Sequence, residues 1–339
     1  MKQLQRHTAA IAFARVVLFI TSTLLVGGCV DPKQNIKPTK SKPTFHEKVG
    51  WKAGDFFEDA DVIQLCQAIQ ANDLPAIERE LASGVDVNTV GKGGMTPLLW
   101  AFVDNELQRF ELLLERGADP NVKISTRLGV ARAFEKEDSV TTLAARSFFV
   151  GPYEAVWKHG GDVAIEGRYK QPLLHIVVRA PISQEAKKRR IKLAISHGGD
   201  IQQKDSMGTI ATTAVGYGQQ WELALWLLDQ GVDPNYYRPM ESENLVGKIV
   251  AHENRLTNGT ETAYWNLIKW LENDGHDIDA ARKSRDALLK LRAPNARSRF
   301  IKNQIAAQVE AGLRPDPNLG EAESDAWYAE KREAKRSED

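Results

Sequence analysis

Cysteine is scarce in this 339-residue chain: there are two, Cys29 and Cys66. A framework of several disulfides is therefore excluded, which separates the chain from small secreted domains stapled by cystine. Net charge is missing too. Lys and Arg number 45, and Asp and Glu number 45, so there is no global basic field to hold nucleic acid. The patterns of the common hydrolases and redox enzymes are absent: there is no G-x-S-x-G elbow, no H-E-x-x-H and no C-x-x-C. Gly91-Lys92-Gly93-Gly94 is rich in glycine, but its lysine is followed by glycine, an order that no phosphate-binding loop has. Apolar runs are short as well. The main one, Val16 to Val26, cannot span a bilayer as a mature helix.

That run is nevertheless informative in its context. Lys2 and Arg6 precede it, and Val26-Gly27-Gly28-Cys29 closes it. A positive start, an apolar middle and small residues before a cleavage point form a secretory signal. With a cysteine at the junction, the segment resembles the lipobox of a bacterial lipoprotein signal peptide. The plainer alternative is an ordinary signal peptide whose cysteine falls near the cut. The resemblance implies removal of residues 1–28, lipid attachment at Cys29, and work at a membrane surface outside the cytosol. Val30 and Asp31 follow the cysteine. By the same resemblance, in a Gram-negative host, this favours the outer membrane, with the protein facing the periplasm. Cys66 would then be the only thiol left. It lies on the apolar side of Val62-Ile63-Leu65-Cys66-Ile69 and reads as a small buried hydrophobe.

Residues 29–60 read as a tether. Lys33, Lys37, Lys40, Lys42 and Lys48 alternate with Pro32, Pro38 and Pro43. Such a composition buries too little apolar area to order itself. Where it is extended, it reaches roughly 3.1 Å per residue. Its lysines either stay solvated or touch anionic headgroups, at about 1 kcal/mol each near the surface.

From about Asp61 the chain repeats itself. Gly-x-Asp endings recur with their glycines at 84, 117, 160, 198, 231 and 275, separated by 33, 43, 38, 33 and 44 residues. Apolar residues at helical spacing precede them, as in Leu74 to Leu81, Glu106 to Glu115 and Trp221 to Gln230. Each glycine suits a left-handed helix cap, and each Asp or Asn suits the turn that follows. A base period of 33 with insertions is the ankyrin spacing. Gly94-Met95-Thr96-Pro97-Leu98-Leu99-Trp100-Ala101 resembles the Thr-Pro-Leu-His opening of an ankyrin repeat, with Leu99 in the histidine place. Gln171-Pro172-Leu173-Leu174 and Thr142-Leu143-Ala144-Ala145 are weaker copies, and Met207-Gly208-Thr209-Ile210-Ala211 keeps Gly and Thr. A tetratricopeptide array has a similar period but lacks the Gly-Ala-Asp-Pro-Asn ending seen at 117–121.

The resemblance implies an all-α ankyrin-repeat solenoid of about six repeats over 61–280, with extra C-terminal helices. Residues 281–315 are expected to cap it through Ala280 to Leu291 and Ala296 to Ala311, a basic stretch with apolar faces. Residues 316–339 are charged and poor in apolar residues, and are expected to be flexible. His159, His197 and His276 flank the cap glycines, where a helix dipole welcomes a positive group. Metal ligation would require adjacent repeats to converge. No catalytic residue, metal, cofactor or small-molecule substrate is expected.

Extra residues between repeats go to loops on one face, often the binding face. Ile124 to Glu137, Pro181 to Lys187 and Tyr236 to Asn244 are the candidates. Tyr236, Tyr237 and Arg238 are residue types enriched where binding energy concentrates; the alternative is that these rings pack a finger onto the next repeat. By the ankyrin register, fingertips and first-helix surfaces add Lys92, Met95, Val103, Asp104, Tyr169, Lys170, Arg179, Lys204 and Asp205. The expected partner is another protein. Membrane-tethered repeat proteins of this kind resemble immunity proteins that neutralise periplasmic toxins, including lipases delivered by type VI secretion. The alternative is a scaffold supporting a resident envelope enzyme or outer-membrane complex.

Overall fold

A computed structural model describes residues 42–129, 133–256 and 259–338. The expected signal peptide, the lipid site Cys29 and the first part of the tether lie outside the described residues, as does the centre of the 124–137 insertion. The chain forms two compact units. One runs to Leu173 and takes in Ala180–Ile182; the other comprises Leu174–Arg179 and the residues from Ser183 onward.

Helices form where the repeat motifs place them. In the first unit α1 is Phe45–Val49, α2 Ala60–Ala71, α3 Leu74–Ala82, α4 Pro97–Phe102, α5 Leu107–Glu115, α6 Val140–Arg146 and α7 Val150–Lys158. The threonine of the opening motif is a helix cap: Thr96 Oγ1 accepts the Leu99 N–H at 3.1 Å, and Pro97 occupies the first turn. That arrangement satisfies an orphan donor and uses the fixed φ of proline. The helices then pair, α2 with α3, α4 with α5 and α6 with α7, and α2 packs on α4. Leu65, Ile69, Ile77, Trp100, Phe110 and Leu113 fill the core between them.

The second unit continues the scheme. It holds α8 (Leu173–Arg179, whose first residue belongs to the other unit), α9 Gln184–Ser196, α10 Ile210–Gly216, α11 Trp221–Asp229, α12 Leu245–Val250 and α13 Glu261–Asn273. Thr209 caps α10 as Thr96 caps α4. Trp221 and Tyr264 meet edge to face at 5.2 Å in the core of this unit. Beyond it lie α14 Ile278–Lys290, α15 Pro294–Glu310 and α16 Glu321–Glu338. The repeats thus realise the expected all-α ankyrin-repeat solenoid, with the helices α14 and α15 after them.

All six Gly-x-Asp glycines have positive φ, between 80° and 102°. An L side chain there would be strained, which is why glycine recurs at that place in each repeat. Gly94 also has a positive φ, 83°, and is constrained by a close approach as well. A Cβ on it would sit 2.6 Å from the Lys123 carbonyl, so only glycine lets the finger before α4 approach the next connection.

One register differs from the sequence reading. The third helix pair opens at Ser139, which caps α6 in a capping box with Thr142; Thr142 is not the opening residue. Serine replaces threonine as the cap, and valine replaces proline, so the motif was hidden three residues upstream.

Two boundaries also move. Residues 44–57 are not a spacer. Thr44 and Glu47 form a capping box for α1, and Phe45, Trp51 and Phe56 join Trp100 and Phe134 in a ring cluster. Averaging over 29–60 diluted these aromatics among lysines and prolines, whereas the burial they achieve offsets the ordering entropy. Nor is 316–339 merely a charged tail. It carries α16, whose Tyr328 is 1% exposed. One side chain of this class contributes about 2 kcal/mol, and surface ion pairs add roughly 0–1 kcal/mol each. The helix is ordered by specific partners that composition does not record.

Candidate partner-binding surface

Fingers between helix pairs carry most of the expected surface residues, and several of them are built by side-chain amides. Asn88 Nδ2 donates to the Gly117 carbonyl at 2.8 Å, and its Oδ1 accepts the Asp119 N–H at 2.7 Å. Asn121 does the same to Gly160 and Asp162, at 2.8 and 2.9 Å. In the second unit Gln202 plays this part towards Gly231 and Asp233, at 2.6 and 3.2 Å. Each amide ties one turn to the next repeat's helix cap, using both its donor and its acceptor. Asp86, Asp119 and Asp200 brace the turns by accepting the N–H two residues on.

Two finger tips of the first unit are open to solvent, whereas the 124–137 connection buries Ile124, Leu128 and Phe134. Val90 is 58% exposed, and Lys92 is exposed at the same tip. A short antiparallel hairpin, β1 (Glu166–Gly167) and β2 (Gln171–Pro172), pairs Glu166 with Pro172 and Gly167 with Gln171. At its tip Tyr169 is 83% exposed and Lys170 is also exposed. Both have positive φ, 61° and 52°. Two consecutive non-glycine residues in the left-handed region are costly, so the hairpin holds an aromatic ring outward at the expense of backbone comfort.

Three of the expected surface residues are internal to this unit. Met95 is 0% exposed and Val103 6%; both sit where the finger and the first helix turn inward, and the correction follows from their apolar side chains. Asp104 is half-buried and committed. It accepts the Phe45 N–H at 2.6 Å and the Arg109 guanidinium at 2.9 Å, and lies 3.2 Å from His46 Nδ1. Burial alone would raise its pKa. Hydrogen bonds from His46, the Phe45 N–H and Arg109 outweigh that and hold the carboxyl at about 2. Arg109, 1% exposed, also donates to the Ile69 carbonyl at 2.6 Å.

In the second unit the fingers are occupied. The hairpin of β3 (Lys204–Asp205) and β4 (Gly208–Thr209) presents Asp205 inward, with its side chain 3% exposed and paired to Arg179. His175 lies 3.4 Å from Asp205, 2.9 Å from the Thr213 hydroxyl and 2.9 Å from the Gln203 carbonyl. Burial lowers the His175 pKa, against the pull of Asp205. Arg179 and Asp205 therefore serve the hairpin, which corrects their expected place on the partner surface. Lys204 pairs with Asp325 of α16 and sits over the Tyr236 ring at 4.7 Å. The Tyr237 N–H donates to the Tyr328 hydroxyl at 3.0 Å. Arg238 pairs with Glu241.

Arg314 completes this cover. It is 2% exposed, donates to the carbonyls of Arg238, Pro239 and Glu241, and lies 5.2 Å from the Tyr237 ring. Tyr236, Tyr237 and Arg238 are thus packed by the chain's own C-terminal segment. Sequence reading missed Arg314 and Tyr328, and also His46 and Arg109. Only Arg109 had a signal, a cation on the amphipathic run Leu107 to Leu114; His46, Arg314 and Tyr328 had none.

Of the three histidines near the glycines, His197 caps a helix end directly, with Nδ1 2.9 Å from the Leu193 carbonyl. Among the described residues no cluster of three or more His, Cys, Asp or Glu could hold a metal ion. No described helix is long and apolar enough to cross a membrane.

Comparison with known proteins agrees at the level of the repeat. The family model described as Ankyrin repeat matches residues 93–125, the span of the strongest opening motif. Among solved structures, the chain is similar to the crystal structure of the ankyrin repeat domain of Bcl-3, a member of the IkappaB protein family. The identity is 19%, the TM-score is 0.48, and the match covers 65% of this chain and 89% of that one. No curated protein matches.

Proposed function

We propose that this chain is a lipid-anchored envelope protein whose repeats bind a protein partner outside the cytosol, and that the partner is a toxin acting on the periplasmic side of the membrane. Ankyrin repeats are protein-binding modules, typically without enzymatic activity. The observation that carries the binding reading is the outward Tyr169, held with Lys170 on a strained hairpin tip. A large ring with few rotatable bonds, presented at little further entropy cost, is the kind of anchor on which interfaces concentrate their energy.

The location rests on the signal-like segment ending in Cys29, with Val30 and Asp31 after it. The inhibitor role rests on the pairing of such an anchor with a repeat array, which would hold an antidote beside the membrane that the toxin attacks. The test is co-expression with a toxin encoded next to this gene. Toxicity should be relieved by the wild-type chain and restored by Tyr169→Ala with Lys170→Ala, at unchanged protein level. If no neighbouring toxin exists, deletion leaves the cell unharmed by its kin, and crosslinking recovers a resident envelope complex, the immunity reading falls and the scaffold takes its place.

A further inference from the structure

We infer that α16 is an intramolecular stand-in for a partner helix. The fingers beneath it form a helix-docking groove, and a partner displaces α16 by presenting an amphipathic helix with a tyrosine anchor, an acidic residue one turn before it, and basic residues one and two turns after it.

The pattern is read from the contacts α16 makes. Asp325, Tyr328, Arg332 and Lys335 stand at positions i, i+3, i+7 and i+10, which a helix places on one face. Each meets a complementary group. Asp325 meets Lys204, Tyr328 meets the ring of Tyr236 at 5.1 Å, Arg332 meets Asp233 at 3.3 Å, and Lys335 meets Asp274 at 2.8 Å. These receptor groups come from three successive connections of the repeat array, so the groove runs across repeats and is charged basic at one end and acidic at the other. The helix enters it with matching polarity.

The seat is incomplete. Tyr328 is the buried side chain of α16, and most of the rest of the helix is exposed. A cavity of about 410 Å³ stays open beside it, walled by Val232, Tyr237, Trp270, Leu313 and Trp327. Trp327 belongs to α16 itself, so the helix and the repeats do not close on each other along this part of the seat. The segment Pro315-Asp316-Pro317-Asn318-Leu319-Gly320 joins α16 to α15. It forms a turn, the Leu319 N–H donating to the Asp316 carbonyl at 3.1 Å, and holds no helix or strand that must break when the helix leaves. One buried ring and a few surface ion pairs hold less firmly than a helix pair in the repeat core, and ion pairs of this kind weaken with salt.

This inference rests on the protein-binding reading, but not on the anchor or the toxin. The test uses the full chain carrying Cys29→Ser, and a fluorescein-labelled peptide with the sequence of residues 319–338 as probe. With Tyr328→Ala in the chain, α16 amides should lose hydrogen-exchange protection, and the labelled peptide should bind at least tenfold tighter than to the chain with Tyr328 intact. A second variant, Asp325→Lys with Arg332→Glu, alters only exposed or half-exposed positions of α16 and should open the groove in the same way. Binding should fall when the peptide carries Tyr328→Ala. It should fall again when the chain carries Lys204→Glu, and be rescued by Asp325→Lys in the peptide.

Equal binding to occupied and vacated chains, no binding to either vacated chain, or unchanged protection of α16 would each overturn the inference. So would dimerisation of the intact chain by exchange of α16, since the groove would then serve a second copy. Failure of toxin relief with the peptide results intact would count against the proposed partner and leave the groove standing.

Discussion

The imidazole of His46 stacks on the indole of Trp100 with centroids 4.0 Å apart and planes inclined by 28°. A residue from the lysine-rich approach segment thereby covers the face of the repeat that carries the strongest ankyrin motif. Asp104 stands beside the pair and links the Phe45 N–H, His46 and Arg109. The approach segment is fastened to the first repeats by a ring stack and a half-buried carboxylate together.

Removing that carboxylate leaves Arg109 buried without its counter-ion. Asp104→Ala should destabilise the protein by about 3 kcal/mol, read as a shift in the urea midpoint. His46→Ala and Asp104→Ala combined should cost less than the sum of the two, since they share one network. Additive losses would show that the two groups act separately. The acid profile carries the same signature. A carboxyl held at about 2 when folded, below its ordinary value near 3.9, gives stability that is present above the ordinary value and is lost as pH falls towards 2. Asp104→Asn should flatten stability over that window.

His175 makes a milder part of the acid range informative. Its folded pKa is lowered by burial, so the unfolded chain binds the proton more readily. Stability contributed by the neutral imidazole is therefore complete above the ordinary value near 6.5 and declines as pH drops through it. His175→Gln should reduce the drop in melting temperature between about pH 7 and pH 5. An identical drop in variant and wild type would assign the acid sensitivity elsewhere.

The amide ties predict a local effect. Asn121→Ala removes the bonds to Gly160 and Asp162 and leaves the Thr141 hydroxyl, which Asn121 also accepts at 2.9 Å, without that partner. The cost should be roughly 1–2 kcal/mol. Hydrogen exchange should rise first at the 160–165 turn, and Asn121→Asp should recover little, because a carboxylate cannot donate to the Gly160 carbonyl.

Cys66 is 0% exposed and its carbonyl accepts the Trp100 indole N–H at 3.0 Å. Burial pushes its thiol pKa up. In chain carrying Cys29→Ser, a thiol reagent at about pH 8 should label Cys66 only after denaturation. Rapid labelling of folded protein would mean that α2 opens locally.

The anchor is tested by fractionation. Cys29→Ser should move the protein from the membrane to the soluble fraction. A variant that stays with the membrane in unchanged amount would remove the lipid from the proposal.

Much of the fold is written in short-range chemistry. The 33-residue spacing, the glycine caps and the Thr96-Pro97 opening each answer a local need: a positive φ, an orphan N–H, a fixed φ at a first turn. Such needs leave the same residues wherever they recur, so α4, α5 and α11 can be read directly. The third pair blurred because Ser139 and Val140 meet the same needs with other side chains. The surface was harder to read. Tyr169 and Tyr236 occupy comparable fingers, yet one ring projects and the other is covered, and no local rule separates them.

Sequence alone therefore determined the repeat, its period, its caps and the lack of a catalytic pattern, because these depend on neighbours a few residues apart. Tertiary structure alone decided which fingers are free. Asp325 meets Lys204 across 121 residues, and Arg314 reaches Arg238 across 76. Contacts so distant in the chain leave no period or motif, and they exist only once burial and charge have drawn the segments together.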